Sequence, residues 1–243
     1  DRARDAARMV ASLRRQALVA DAAHSDVLGN RSLRRHFEVG ECSLPALREA
    51  ASRFGGSVND AYVTALAAAL GRYHERYGSD VSELRLAMPI STRGRGDTAT
   101  NAFVPARVLV PIQPADNMRE LFGAVRERLL HTKGEAVINA YEGLAGIAGL
   151  LPTAMLVAFT RNQARTIDFA ASNLRGSPVP LYLAGQRIVG NYPFGPRTAT
   201  ALNVTMLGYC DDLHLGFNID PAAIVDIDGL MVDIADSFDA LLQ

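Results

Sequence analysis

The stretch GGSVNDAYVTALAAALGRYH, Gly55 to His74, constrains this chain more than any other. After Asp60 it carries no charge until Arg72, and a helix that is apolar all round has to be buried. The fold must therefore close a core around it. The 243 residues are 49% hydrophobic, enough for one large domain or two small ones and too apolar for a disordered chain. A net charge of −1 offers no general attraction to nucleic acid. At the first turn of this buried helix stands a polar pair, Asn59-Asp60.

Ser57-x-x-Asp60 reads as a variant of the capping box, in which the aspartate reaches back to the N-cap amide. That gives Asp60 a structural task. Asn59, at the second helical position, has none. An amide there can donate to an oxygen that gains negative charge, with help from the positive end of the helix dipole.

Around this helix the patterning alternates between helix and strand. Residues 1–20 have apolar positions at helical spacing with arginines between them, and 21–32 read as a loop. Leu33 to Val39 reads as a strand. Ser43 caps a short helix with Pro45 in its first turn, closed by Gly55-Gly56. The central helix runs from Ser57 to about Tyr77 and stops at Gly78.

ELRLAMPIS and AFVPARVLVPI read as strands on either side of the Gly- and Arg-rich loop Thr92–Asn101. Residues 115–133 form an amphipathic helix with Met118, Leu121, Phe122, Val125, Leu129 and Leu130 on one face, and Arg126 and Arg128 away from it. TIDFAASNL reads as a strand, SPVPLYLAGQRIVGNYPFGP as a loop with two turns, and TALNVTMLGYCDDLHLGFNID as a β-hairpin with Asp211-Asp212 near its tip. A last amphipathic helix closes the chain. Helices interleaved with strands that include a hairpin predict an α/β domain with a mixed β-sheet flanked by helices.

Familiar catalytic patterns are absent. Gly55-Gly56-Ser57 has no following lysine for a phosphate loop, and Asn59 stands where the serine-hydrolase elbow needs glycine. The five histidines are scattered, so no metal set is expected; His74 reads as a surface or cap residue, and His214 in a hairpin strand carries little more. Asp211-Asp212 reads as a turn pair, Asp220 as a strand end before Pro221, and Asp226 and Asp228 as a helix start.

Cys42 and Cys210 are isolated thiols, which fit a reducing, cytoplasmic setting. The uncharged run Gly143–Thr160 is short for a membrane span and is broken by Pro152. It reads as two short packed helices, or as a surface that touches lipid with Arg161 and Arg165 at the headgroups.

Several segments, taken in order, resemble the bacterial wax ester synthase/diacylglycerol acyltransferase family. GGSVNDAYVTALAAALGRY is similar to its asparagine-aspartate motif, where a TVND tetrad opens a helix. GNRSLRRHFEV resembles the strand before that helix, and LAMPISTRGRGDTATNAFVPARVLVPI the VPVSxR…GN pair of strands. ASNLRGSPVPLYLAGQRI resembles its SNVPGP…LYLAGA segment, and LNVTMLGYCDDLHLGFNIDPAAIVDIDGL its closing hairpin and helix. The arginine-rich composition suits a mycobacterium-like member.

The chain departs from the pattern in two ways. No two histidines are adjacent, so the family's HHxxxDG motif is missing, and Arg175 replaces a proline in the NVPG-like loop.

The resemblance implies the C-terminal half of a chloramphenicol-acetyltransferase-like, CoA-dependent acyltransferase fold. Residues 1–27 would be a crossover helix from an N-terminal half that carries HHxxxDG, and 28–243 the C-terminal domain. It implies acyl-CoA as co-substrate without metal or other cofactor, and a lipid alcohol, diacylglycerol or a long-chain alcohol, as acceptor. Asn59, Asp60, Ser172 and Asn173 would bind substrate, with Asn59 as the candidate oxyanion amide. Contact with the inner membrane or lipid droplets would be peripheral. Two other readings stand beside it. One is a half-domain that binds lipid, CoA or its partner half but has lost the chemistry; the other is a polyketide- or peptide-synthetase-type acyl transferase.

Overall fold

The computed structural model describes residues 25–91, 103–114, 117–141, 166–196 and 199–243. The expected helix over 1–20, the loop 92–101 and the apolar run 143–160 lie outside the described residues. In chain order the elements are β1 (His36–Ser43), α1 (Leu44–Arg53), α2 (Val58–Arg76), β2 (Glu83–Ser91), β3 (Phe103–Pro111), α3 (Met118–Tyr141), β4 (Phe169–Leu174), β5 (Tyr182–Leu183), β6 (Gln186–Arg187), β7 (Leu202–Tyr209), β8 (Asp212–Ile219) and α4 (Ile227–Leu242).

Six strands form one sheet in the order β1-β8-β7-β4-β2-β3. β2, β4 and β7 run parallel in the middle, and the flanking pairs are antiparallel. The mixed sheet expected from the interleaved patterning is present. Side chains on a strand alternate between faces. One face carries Leu86, Phe169, Ala171, Val204, Met206, Leu215 and Phe217, which share a single apolar cluster with Tyr62, Leu66 and Leu70 of α2. Each leucine, valine, methionine or phenylalanine among them contributes roughly 1.5–3 kcal/mol when removed from water. The all-round apolar character of α2 is explained by its neighbours, since α1, α3 and α4 all pack on it. Its Tyr62 hydroxyl donates to the Val204 carbonyl at 2.9 Å and fixes the helix over β7.

The opposite face is largely polar over β8 and β7 and carries Phe37 and Val39 on β1; the segment 190–196 covers it, with Phe194 against Phe37. Asn203 and Asn218 donate to the carbonyls of Pro196 and Gly195 at 3.1 Å each, and the Tyr192 hydroxyl bonds Glu41.

Four sequence expectations shift. The first strand begins at His36 and runs to Ser43, three to four residues later than Leu33–Val39. Upstream, the Asp220 carboxylate holds the Ser32 amide at 2.6 Å and its hydroxyl at 2.5 Å, so the chain bends before pairing with β8 begins. The helix expected to end near 133 continues to Tyr141. The loop 177–196 contains a small β5–β6 hairpin. The hairpin tip is Cys210-Asp211, because Asp212 already pairs with Tyr209.

Candidate functional site

The local chemistry of the chain explains where the molecule opens. α2 precedes β2 and runs back across the sheet, so its N-terminus lies near the carboxyl ends of β2 and β4, the usual place for a crevice beside parallel strands. There, a cleft of about 520 Å3 is lined by the 55–60 turn, Met88 and Pro89 of β2, Asn173 of β4, and Arg126, Leu129, Leu130 and Lys133 of α3.

At the turn, Ser57 is the N-cap of α2 and the box with Asp60 is complete. The Asp60 amide donates to Ser57 Oγ at 3.3 Å, while Asp60 Oδ2 accepts from the Ser57 amide and hydroxyl, both at 2.8 Å. Asp60 is buried with its carboxylate occupied. Gly56 is required beside it, because the Phe122 ring, stacked near Phe54 with centroids 5.1 Å apart, fills the space a side chain would need.

Asn59 is half-buried and its amide bonds no described residue. Asn173 is exposed at the end of β4, on the same face as Phe169 and Ala171, and its amide is equally unpartnered. The structure thus places Asn59, Asp60 and Asn173 along one cleft. Ser172, by the alternation of the strand, faces the other side of the sheet and does not line it.

The α3 wall is not marked as a cleft by the apolar periodicity of its helix. Arg126, Leu129, Leu130 and Lys133 follow the i, i+3, i+4, i+7 pattern of one helical face, and that face borders the cleft. Leu130, which periodicity puts on the apolar face with Leu129, is 51% exposed there. Arg126, read as pointing away, is half-buried in the cleft wall. The signal was present in that spacing.

The other candidate polar groups lie outside the cleft. His74 is buried, contrary to its reading as a surface or cap residue, because α2 is enclosed to its last turn. Its Nδ1 lies 2.7 Å from the Leu70 carbonyl and must donate to it, leaving Nε2 to accept from the Ser25 hydroxyl at 2.7 Å. Burial holds its pKa below 6.5.

His214 is also buried, outside the cleft, with Nε2 3.7 Å from the Glu41 carboxylate. Cys42 is pushed up to about 12 by burial and stays a thiol. Asp226 caps α4 through the Gly229 amide at 3.0 Å and, with Asp233, binds Arg76 at the end of α2. Among the described residues no three His, Cys, Asp or Glu side chains gather to hold a metal ion, and no helix is long and apolar enough to cross a membrane.

The WS/DGAT C-terminal domain family matches residues 100–242. A Mycobacterium tuberculosis protein named as a diacylglycerol O-acyltransferase is 34% identical over 190 residues, covering 76% of this chain and 38% of that protein. The tgs1 protein of the same species, named as a diacylglycerol O-acyltransferase, is 26% identical over 224 residues, covering 88% of this chain and 48% of that protein.

Among solved structures, the wax ester synthase/diacylglycerol acyltransferase from Marinobacter aquaeolei VT8 superposes with a TM-score of 0.65 at 18% identity, over 96% of this chain and 56% of that one. The starter condensation domain of rhizomide synthetase gives 0.57 at 15%, over 99% and 52%. At such identities the likeness is one of fold, and the fold is half of the chloramphenicol-acetyltransferase-like architecture. The chain spans about two fifths to half the length of the curated relatives it matches. With the family matched across residues 100–242 and a relative 34% identical, the chain belongs to the wax ester synthase/diacylglycerol acyltransferase family, in the region of its C-terminal domain.

Proposed function

We propose that the chain is the C-terminal half of an acyl-CoA-dependent O-acyltransferase that makes triacylglycerol or wax esters. Its substrates would be acyl-CoA and diacylglycerol or a long-chain alcohol. The observation that carries this reading is the cleft in which two unpartnered amides, Asn59 and Asn173, stand beside the apolar Met88, Pro89, Leu129 and Leu130. Amides with no partner among the described residues are available to a substrate, and the apolar wall suits a thioester arm or acyl chain.

The general base is expected on the other half, in an HHxxxDG motif that this chain lacks, since none of its histidines are adjacent. There a histidine takes the proton of the acceptor hydroxyl as its oxygen attacks the thioester carbonyl. The carbonyl oxygen gains negative charge, and Asn59 donates to it from the positive end of α2. Collapse breaks the C–S bond, and the histidine returns the proton to the departing CoA sulfur. Ester and free CoA are the products.

The exposed β5–β6 hairpin, with Tyr182 66% and Leu183 72% exposed, gives this half apolar surface for a second half or a lipid phase. The test is reconstitution with the HHxxxDG-bearing half of a relative. Acyl transfer to diacylglycerol or hexadecanol should require both halves, the lone chain being inactive. Thioester cleavage by the lone chain at the rate of the pair, or no transfer by the pair, would refute the reading.

A further inference from the structure

Resting on that reading, we propose that Arg126 and Lys133 of α3 receive the phosphate groups of the coenzyme A donor, so that acyl-CoA enters the cleft along this helix face. Both cations line the cleft, and neither makes a hydrogen bond or ion pair with a described residue. Their neighbours on the same helix behave otherwise. Arg128, two positions from Arg126 and outside the cleft, is paired with Glu83 at 2.6 Å, and Arg119 lies over the Phe54 ring at 5.0 Å. Lys133 is also the single lysine of the chain.

Charge complementarity decides what they bind. Among the described residues lining the cleft the one carboxylate is Asp60, occupied by Ser57, so none of them gives the two cations a counter-charge. Diacylglycerol and fatty alcohols are neutral, whereas coenzyme A carries a diphosphate and a ribose phosphate at one end. Of the proposed substrates, only the donor carries charge to match the pair.

The spacing fits a ligand of that form. Arg126 and Lys133 are seven residues apart, about 10 Å along one helical face, with Leu129 and Leu130 between them. Cations so separated can hold two phosphate groups on either side of a ribose. The planar Arg126 guanidinium suits a bidentate contact and the Lys133 ammonium a point contact. From there the neutral pantetheine arm would pass the leucines toward Asn59 and Asn173, where the thioester reacts.

The experiment titrates the chain with coenzyme A and with pantetheine, which lacks every phosphate. Wild type should bind coenzyme A more tightly, with an advantage that shrinks in high salt. Arg126→Ala with Lys133→Ala should weaken coenzyme A by about 10–100-fold and leave pantetheine unchanged. Arg128→Ala removes the same charge outside the cleft and should change neither. Alanine is a good helix former, and unchanged melting temperatures will show that the variants are folded.

Equal affinity of wild type for coenzyme A and pantetheine, no coenzyme A binding at all, or an equal loss in Arg128→Ala would overturn the proposal. A lipid headgroup offers the same phosphate chemistry. If the double variant loses binding only to phosphatidylglycerol vesicles and keeps coenzyme A, the proposal is likewise overturned. Acyl transfer by the assembled halves without phosphate-dependent binding would sink this inference alone. Phosphate-dependent binding without any transfer would sink the acyltransferase reading and leave the phosphate site standing.

Discussion

Two polar clusters at the sheet differ in one respect, whether their hydrogen-bonding capacity is used up. Arg85 of β2 and Asp168, just before β4, are both buried and bond face to face. Arg85 Nε and Nη2 donate to the two Asp168 oxygens at 3.0 Å, and the Arg85 amide adds a third bond at 2.9 Å. In the cleft the amides of Asn59 and Asn173 and the cations of Arg126 and Lys133 reach no described partner. A satisfied buried pair holds strands together, and breaking it leaves a charge stranded in the interior. An unsatisfied set at an open cleft adds little to folding and is available to something that binds there. The contrast separates structural polarity from functional polarity, and it can be tested from both sides.

The largest effect should come from the buried pair. Arg85→Ala or Asp168→Ala should each cost about 3–5 kcal/mol in denaturant unfolding, because each removes the other charge's bidentate partner in the interior. Replacing both together by apolar residues of similar volume should cost less than either single change. A single change worth under about 1 kcal/mol would mean that the pair is solvated and the comparison is false. Asp60→Ala, which removes the reciprocal cap, should lower stability by about 0.5–2 kcal/mol, and its effect on any acyl transfer should follow the folded fraction.

His74 should show itself through pH. Burial holds its folded pKa below 6.5, so below that pH the unfolded chain takes up the proton first. Its contribution is full above about pH 6.5 and is lost as the pH falls through the folded value. Replacing His74 with glutamine should flatten this part of the stability profile; an unchanged profile would show that another group is responsible.

These contrasts also show where the sequence was legible. α2, its Ser57–Asp60 box and the strand β2 follow from local signals: a run of apolar residues, a cap at fixed spacing, and alternation bounded by turns. The closing hairpin was legible for the same reason. Pairing between distant segments was not. No local pattern links Arg85 to Asp168, which are 83 residues apart, or says that Ser25 reaches His74 and so buries an imidazole expected at the surface.

The α3 wall was missed for a different reason. Helical periodicity sorts residues into apolar and polar faces, and a cleft wall mixes the two. Periodicity therefore places Leu130 on the apolar face and Arg126 away from it, while both border the cleft. For the adjacent residues Ser172 and Asn173, strand alternation sends one side chain to each face, and only Asn173 reaches the cleft.

The smallest expected effect on stability belongs to the residue on which the functional account turns. Asn59→Ala should leave the melting temperature nearly unchanged, because its amide bonds nothing within the described structure. In the enzyme assembled with an HHxxxDG-bearing half, the same change should lower turnover by up to about 10²–10³-fold if the amide stabilises the oxyanion. The deciding measurement is thermal unfolding of Asn59→Ala beside its acyl-transfer kinetics. The account predicts an unaltered unfolding transition with a turnover deficit. Early unfolding, with normal turnover by the protein that remains folded, would contradict it and make Asn59 part of the helix start alone.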